Sequence, residues 1–342
     1  MAVTNLNYPV KVSTDRDLMQ IKIAQTVNQV FLQSAKLMAL NAALTQELGA
    51  GSKSYTWHWE GRTVPTTNGT NMAYKAKGAD RVLTTTPKEL KNIEHEDPLY
   101  YTEGFDWHDA NVYPTWDVVG PAIKRGITEY IESWETRAMI LLGKAAQAAA
   151  VTGVHAGGIA YSPSGTEASL AGKYANTAAG GDALINDIAY WRSLKEARKE
   201  AQGMNWVAVM DPYAAMVISR SERFMNRNDF NPQANLPMGT YGFVEGMPVV
   251  VSKYMPSTAV TSDPISKYNY DLAIGGANLG QPAVLFIGYD ESTSPIGQVR
   301  HGGPRTDVWW NEDEDVNKAG TKAVYGLDTL HVWNAGGIFI HS

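Results

Sequence analysis

Residues 121–151 read PAIKRGITEYIESWETRAMILLGKAAQAAAV. Ile123, Ile127, Ile131, Trp134, Ala138, Leu141, Ala145 and Ala149 recur at three- and four-residue steps, which puts them on one face of a helix. Pro121 suits the first helical position, and Gly153 suits a position just past the end. About 30 residues at 1.5 Å each make a rod near 45 Å.

The segment before this helix carries the opposite period. Tyr55, Trp57 and Trp59 alternate with Thr56, His58 and Glu60, a strand signal. Gly61 follows, then a polar stretch from Arg62 to Thr86 with Pro65, Asn68-Gly69 and Gly78. Leu90 to Trp107 reads as a second extended segment. Together they predict a long two-armed hairpin with too little core to stand alone. Earlier still, residues 1–17 read as an extended arm. Leu18 to Leu48 show helical spacing through Ile21, Val27, Phe31, Leu37 and Leu44, stopped by Gly49 and Gly51.

After the long helix, residues 152–181 are rich in Gly, Ala and Ser and read as a loop. An α/β region follows: a helix capped by Asp182 and ended by Gly203, a strand at Trp206–Met210, and a short helix opened by Asp211-Pro212. Gly246 to Val251 and Ala283 to Tyr289 read as strands. Residues 296–341 read as three or four antiparallel strands with an acidic turn at Asn311–Asp315, and Ile338-Phe339-Ile340 as the end of the sheet.

Composition bounds the chemistry. The 342 residues suggest about two domains by length. Lys+Arg is 29 and Asp+Glu is 35, so the formal net charge of −6 speaks against a sequence-independent nucleic-acid binder. With Cys 0, disulfide scaffolds, thiolate metal sites and cysteine nucleophiles are excluded. Met1 to Pro9 has neither a basic n-region nor an apolar h-region, so no secretory leader is expected there. The most apolar stretch, Ala138 to Val151, is too short for a membrane span and contains Lys144.

Motifs for catalysis are missing. No phosphate-binding glycine loop, dinucleotide fingerprint, H-E-x-x-H or G-x-S-x-G occurs. His95-Glu96-Asp97 are adjacent, and strand neighbours point to alternating faces, so a surface reading is preferred to a metal site. Glu312-Asp313-Glu314-Asp315 lacks calcium-loop spacing and reads as a solvated turn. Asn68-Gly69-Thr70 reads as a turn. No catalytic residue, cofactor or metal ligand is assigned. The Tyr55/Trp57/Trp59 stripe fits a covered core, an interface or a sugar platform, with core or interface preferred.

The order of parts resembles the major capsid protein fold of tailed bacteriophages, the Hong Kong 97 (HK-97) type. Five stretches carry the resemblance. Gly51 to Thr63, ending Trp59-Glu60-Gly61-Arg62-Thr63, is similar to the outgoing strand of that family's extended loop. Pro87 to Trp107 is similar to its return, and Pro121 to Val151 to its spine helix. Trp206 to Pro212 resembles the strand-then-helix unit of the axial domain. Val244-Glu245-Gly246-Met247-Pro248-Val249-Val250 resembles a G-x-P-V strand entry, the most specific of the five. The short-tailed, T-seven-like group looks nearest.

The resemblance implies an α+β fold and five parts: an N-terminal arm and helix over 1–51, an extended loop over 52–107, a peripheral domain with the spine helix over 108–179, an axial domain over 180–295, and return strands of the peripheral domain over 296–342. It implies a non-catalytic subunit that forms hexamers and pentamers of an icosahedral head, enclosing double-stranded DNA without specific binding. Portal, a separate scaffolding protein and a decoration protein are the implied partners, with assembly in the host cytoplasm and no membrane. Inter-subunit contact is expected from Tyr55, Trp57, Trp59, Arg62, Lys75, Lys77 and Arg81. Two other readings stay open: an encapsulin-type shell that houses cargo, and a carbohydrate-binding or carbohydrate-active protein.

Overall fold

The computed structural model describes residues 36–38, 40, 42–60, 88–106, 119–151, 155–164, 169–198, 205–226, 240–272, 280–311 and 316–340. The expected arm over 1–17, the first half of the expected N-terminal helix and the tip of the hairpin lie outside them.

The chain turns once at its first described residues, where Leu40 N–H reaches Lys36 O at 3.2 Å. Strand β1 (Ala43–Glu47) follows, and here the helical spacing misleads. Ala43 to Glu47 pair in parallel with Ile296 to Arg300 of β11 (Ile296–Arg300), so the backbone is committed to a ladder. The period of so short an apolar set fits either structure, and the tertiary partner decides.

Strand β2 (Ser54–Glu60) pairs antiparallel with β3 (Lys88–Glu94), with Ser54 opposite Glu94 and Glu60 opposite Lys88. The expected return arm is not one strand. The chain breaks at residues 95–98, and β4 (Leu99–Asp106) leaves β2 to pair with β13 (Val316–Ala323). β13 also holds β12 (Arg305–Asn311), and β11 pairs with β14 (Tyr325–Thr329).

Helix α1 (Val119–Gln147) starts two residues before Pro121 and stops short of Gly153. Its N-terminal half lies on β4, β13 and β14. Gly126 is the point of closest approach: a Cβ there would stand 2.3 Å from Thr321 Oγ1. Its C-terminal half lies under a seven-stranded mixed sheet. That sheet runs β5 (Ile159–Tyr161), β15 (Ala335–Ile340), β10 (Gln281–Tyr289), β6 (Asn205–Met210), β9 (Met247–Val251), β8 (Thr240–Val244) and β7 (Met225–Asn226).

Alternation along these strands divides two cores. Val207, Val209, Val250, Leu285, Ile287 and Phe339 face α1. Trp206, Ala208, Met210, Val249, Val284, Phe286 and Ile338 face α2 (Ala178–Glu196) and α3 (Pro212–Ile218). Because both faces are covered, the strands read as continuous apolar runs. Trp191 of α2 stacks on Phe286 with centroids 3.6 Å apart, and its Nε1 donates to Ile159 O at 2.8 Å. Gly336 leaves the room, since a Cβ there would fall 2.3 Å from the indole.

Three expectations change here. The cap of α2 is Thr177, not Asp182, and the helix ends at Glu196 rather than at Gly203. Gly180 and Gly181 are inside the helix, where Cβ atoms would reach Ala175 O at 1.9 Å and Val217 O at 2.8 Å, so close packing requires glycine at both. Residues 152–181, expected as loop, supply β5, which extends the large sheet beside β15. The strands after 296 number five and belong to three different sheets; β15 lies inside the large sheet rather than ending a terminal one. Asp211 does cap α3, accepting from Tyr213 N at 2.8 Å, with Pro212 next. Glu245 (φ 48°) and Gly246 (φ 79°) form the tight turn into β9, the two-residue hairpin geometry that needs positive φ twice.

Candidate assembly surface

The foot of the β2–β3 hairpin has two unlike faces. Tyr55, Trp57, Trp59, Glu89, Lys91 and Ile93 share one by register. On that face Ile93 is buried against β11, where Gly297 has no side chain to obstruct it. Lys91 pairs with Asp328 at 3.1 Å, and Glu89 Oε2 lies 3.3 Å from His155 Nε2. Trp59 packs edge-on against His331 (5.1 Å) and beside Trp333 (6.4 Å). Burial is the main reason the His331 imidazole is pushed down to about 4; the backbone of Ser294 and the charge of Asp290 pull weakly the other way.

The opposite face presents Thr56, His58, Leu90, Asn92 and Glu94. Leu90 is 63% exposed, an aliphatic side chain among polar ones. Tyr55 is 40% exposed, with Trp57 edge-on to it at 4.7 Å. The aromatic stripe is therefore divided. Trp59 packs within its own chain, while Tyr55 and Trp57 sit at the open margin of the hairpin. Arg62, Lys75, Lys77 and Arg81 lie outside the described residues, as do Asn68-Gly69 and the Glu312–Asp315 run.

Two charged residues in α1 organise the surroundings. The Glu135 carboxylate has no exposure and accepts the backbone N–H groups of Lys36 (2.7 Å), Leu37 (3.2 Å) and Met38 (3.1 Å). It pins the end of the N-terminal segment to the helix. Burial raises its pKa, and the three N–H donors oppose that rise. Two residues on, Arg137 pairs with Asp263 at 3.2 Å and lies 4.6 Å from the centre of the Tyr268 ring. Tyr268 Oη reaches Glu96 at 3.2 Å, and Glu96 pairs with Lys267, so the β3–β4 corner is tied to the same node. The sequence did signal these two residues: each is a charge amid Trp134, Ala138 and Met139, and a charge buried on an apolar stretch needs a partner.

Enzyme-like features do not converge. Glu96 of the His95-Glu96-Asp97 triplet is engaged in the tie just described. A surface cavity of about 420 Å³ is lined by Arg192, Lys195, Trp206, Glu245 and Tyr289. Its one carboxylate, Glu245, is 3.8 Å from Arg192 and 3.4 Å from Arg223. Glycoside cleavage needs two carboxylates, and the lining of this cavity supplies one. Among the described residues no group of three or more His, Asp or Glu is placed to hold a metal ion.

The parallel strand β1, the β2–β3 pair, a 29-residue helix and a covered mixed sheet together form a fold shared with solved capsid-shell subunits. Solved structures agree. The subunit in the bacteriophage PhiM1 mature capsid matches with a TM-score of 0.66 at 13% identity, over 88% of this chain and 86% of that one. The cyanophage P-SCSP1u capsid matches at 0.63 and 14%, over 88% and 87%. The Ralstonia phage GP4 capsid matches at 0.54 and 9%, over 90% of each chain. No family model and no curated protein matches the sequence. The α+β HK-97 fold is thus established on structure; at these identities the likeness is one of fold.

Proposed function

We propose that this chain is the major capsid protein of a tailed bacteriophage, a non-catalytic subunit whose copies form the hexamers and pentamers of an icosahedral head around double-stranded DNA. The observation that carries the proposal is the capsid-subunit fold extending over 88% of the chain. The physical design suits the role. A shell must be held by many individually weak contacts, and the open face of the β2–β3 hairpin foot offers area without a deep obligate core. The net charge of −6 keeps packaged DNA from adhering to the wall.

The finer assignments belong to the same proposal. The short-tailed group is favoured by the order and sequence of parts. Tyr55 and Trp57, with Arg62, Lys75, Lys77 and Arg81 further along the loop, contact a neighbouring copy. Portal, scaffolding and decoration proteins are separate partners, and assembly takes place in the host cytoplasm. Residues 52–107 act as the extended loop and 180–295 as the axial domain.

Negative-stain electron microscopy of the purified protein, alone and with a candidate scaffold, tests the proposal. Closed shells or six-fold rings are expected. A dispersed monomer under both conditions would overturn it.

A further inference from the structure

Two histidines meet at the root of the β2–β3 hairpin. His95 follows β3 directly, and His301 follows β11 directly. Their ring centres lie 5.1 Å apart, with the planes at 70° to each other. The backbone holds both in place: His95 N–H donates to Lys53 O at 3.0 Å, and His301 N–H to Val324 O at 3.1 Å. Both residues are partly exposed, so an ion from solvent can reach them.

Hydrogen bonding assigns the proton on each ring. His95 Nδ1 faces Glu96 O at 2.9 Å, and His301 Nε2 faces Ser52 O at 3.0 Å. A carbonyl oxygen only accepts, so each of these nitrogens carries a proton. In the neutral ring the other nitrogen then keeps a lone pair: Nε2 of His95 and Nδ1 of His301. Among the described residues neither lone pair has a hydrogen-bond partner. An imidazole whose N–H is tied to a backbone carbonyl, with its second nitrogen free, is set up as a metal ligand. The carbonyl fixes the tautomer and the ring orientation and makes the free nitrogen more basic.

We propose that His95 Nε2 and His301 Nδ1 together bind one divalent transition-metal ion of the zinc, nickel or copper class, with water completing its coordination shell. Imidazole nitrogen binds zinc at about 2.1 Å, which places each ring centre about 3.2 Å from the ion, and a tetrahedral angle then sets the centres about 5.2 Å apart. The observed 5.1 Å is that spacing. With two imidazoles as the protein ligands, hard cations such as magnesium and calcium are disfavoured. The neighbours of His95 in sequence do not make the site: Glu96 is committed to Lys267 and Tyr268, and the second imidazole comes from the end of β11. The ion clasps the root of the hairpin, joining the exit of β3 to the corner that holds Ser52 at the entry to β2. This proposal is independent of the shell reading.

Metal titration of the full-length protein, read by calorimetry and by melting temperature, tests it. Zinc and nickel chlorides are expected to bind and to raise the melting temperature by about 3 °C at saturation, and magnesium chloride to do neither. His95→Gln and His301→Gln each keep an N–H for the carbonyl but lose the nitrogen lone pair. Each alone is expected to weaken zinc binding roughly tenfold or more, with the circular dichroism of the metal-free protein unchanged. His58→Gln, on the opposite face of the hairpin, is expected to bind zinc as wild type does. Histidine-selective nitrogen NMR of the wild-type protein gives a readout that no variant's folding can obscure: zinc should shift Nε2 of one ring and Nδ1 of another. Failure of the wild type to bind zinc overturns the proposal and leaves the two rings in aromatic contact only. Zinc binding that survives both Gln substitutions also overturns it, as do shifts confined to other histidines.

Discussion

Single side chains set two opposite dependences on pH. His331 is buried with a pKa near 4, below the 6.5 of an exposed imidazole. The unfolded chain therefore binds its proton first as pH falls, and stability declines between about pH 6.5 and pH 4. The loss approaches about 3 kcal/mol at the acid end. His331→Gln should flatten the slope of melting temperature against pH across that window; an unchanged slope would show that another group controls it. Glu135 works the other way. Its pKa is raised in the folded state, so protonation favours the fold. Replacing it with Ala leaves the backbone N–H groups of Lys36, Leu37 and Met38 without that acceptor, the one at Leu37 fully buried. Glu135→Ala is expected to cost about 2–3 kcal/mol in denaturant unfolding, and Glu135→Gln, which keeps an acceptor oxygen, distinctly less.

Between elements, the hairpin foot and the α1–β13 seam make separate predictions. Trp59 packs on His331 and Trp333 of its own chain, whereas Tyr55 and Trp57 lie at an open margin. Trp59→Ala should lower the melting temperature of the unassembled subunit. A Tyr55→Ala/Trp57→Ala variant should melt like wild type yet give fewer shells, and normal shell yield would remove these two residues from the interface. At the seam, Gly126→Ala gains up to about 1 kcal/mol of helix propensity. It also drives a methyl group to 2.3 Å from Thr321 Oγ1. The clash lies between packed elements, so the net effect should be a lower melting temperature; a rise would mean that β13 yields easily.

Among the described residues, two hydrophobic cores share the large sheet, one on each of its faces, and α1 spans from the first core to the small sheets. No part can lose its packing without exposing the other face of the same strands. Unfolding of the subunit should therefore be a single transition. Near-ultraviolet and far-ultraviolet circular dichroism should give coincident denaturant curves, with Trp134 reporting the first core and Trp191 the second. Two separated transitions would show that the sheet and the strut fold independently.

Local physics alone determined much of this protein. The 3.6-residue period over 121–151 favours a helix, the two-residue period at 55–59 favours a strand, and Asp211-Pro212 opens the short helix that follows it. The absence of cysteine and the net acidity are chemical facts that no fold alters. The order of these parts was enough to suggest the shell architecture. Long-range pairing decided the rest, because the same short stretch can satisfy its backbone in more than one way. Ala43–Glu47 became a strand only because β11 offered an edge. Residues 95–98 broke the return arm because β13 lay where β4 could reach it. Gly180 and Gly181 lie in a helix that starts at the Thr177 cap, and close packing on Ala175 and Val217 is what requires glycine there. Trp59 turned inward where the other two aromatics of its stripe stayed at the margin, a distinction that only the position of His331 and Trp333, more than 270 residues later, could make.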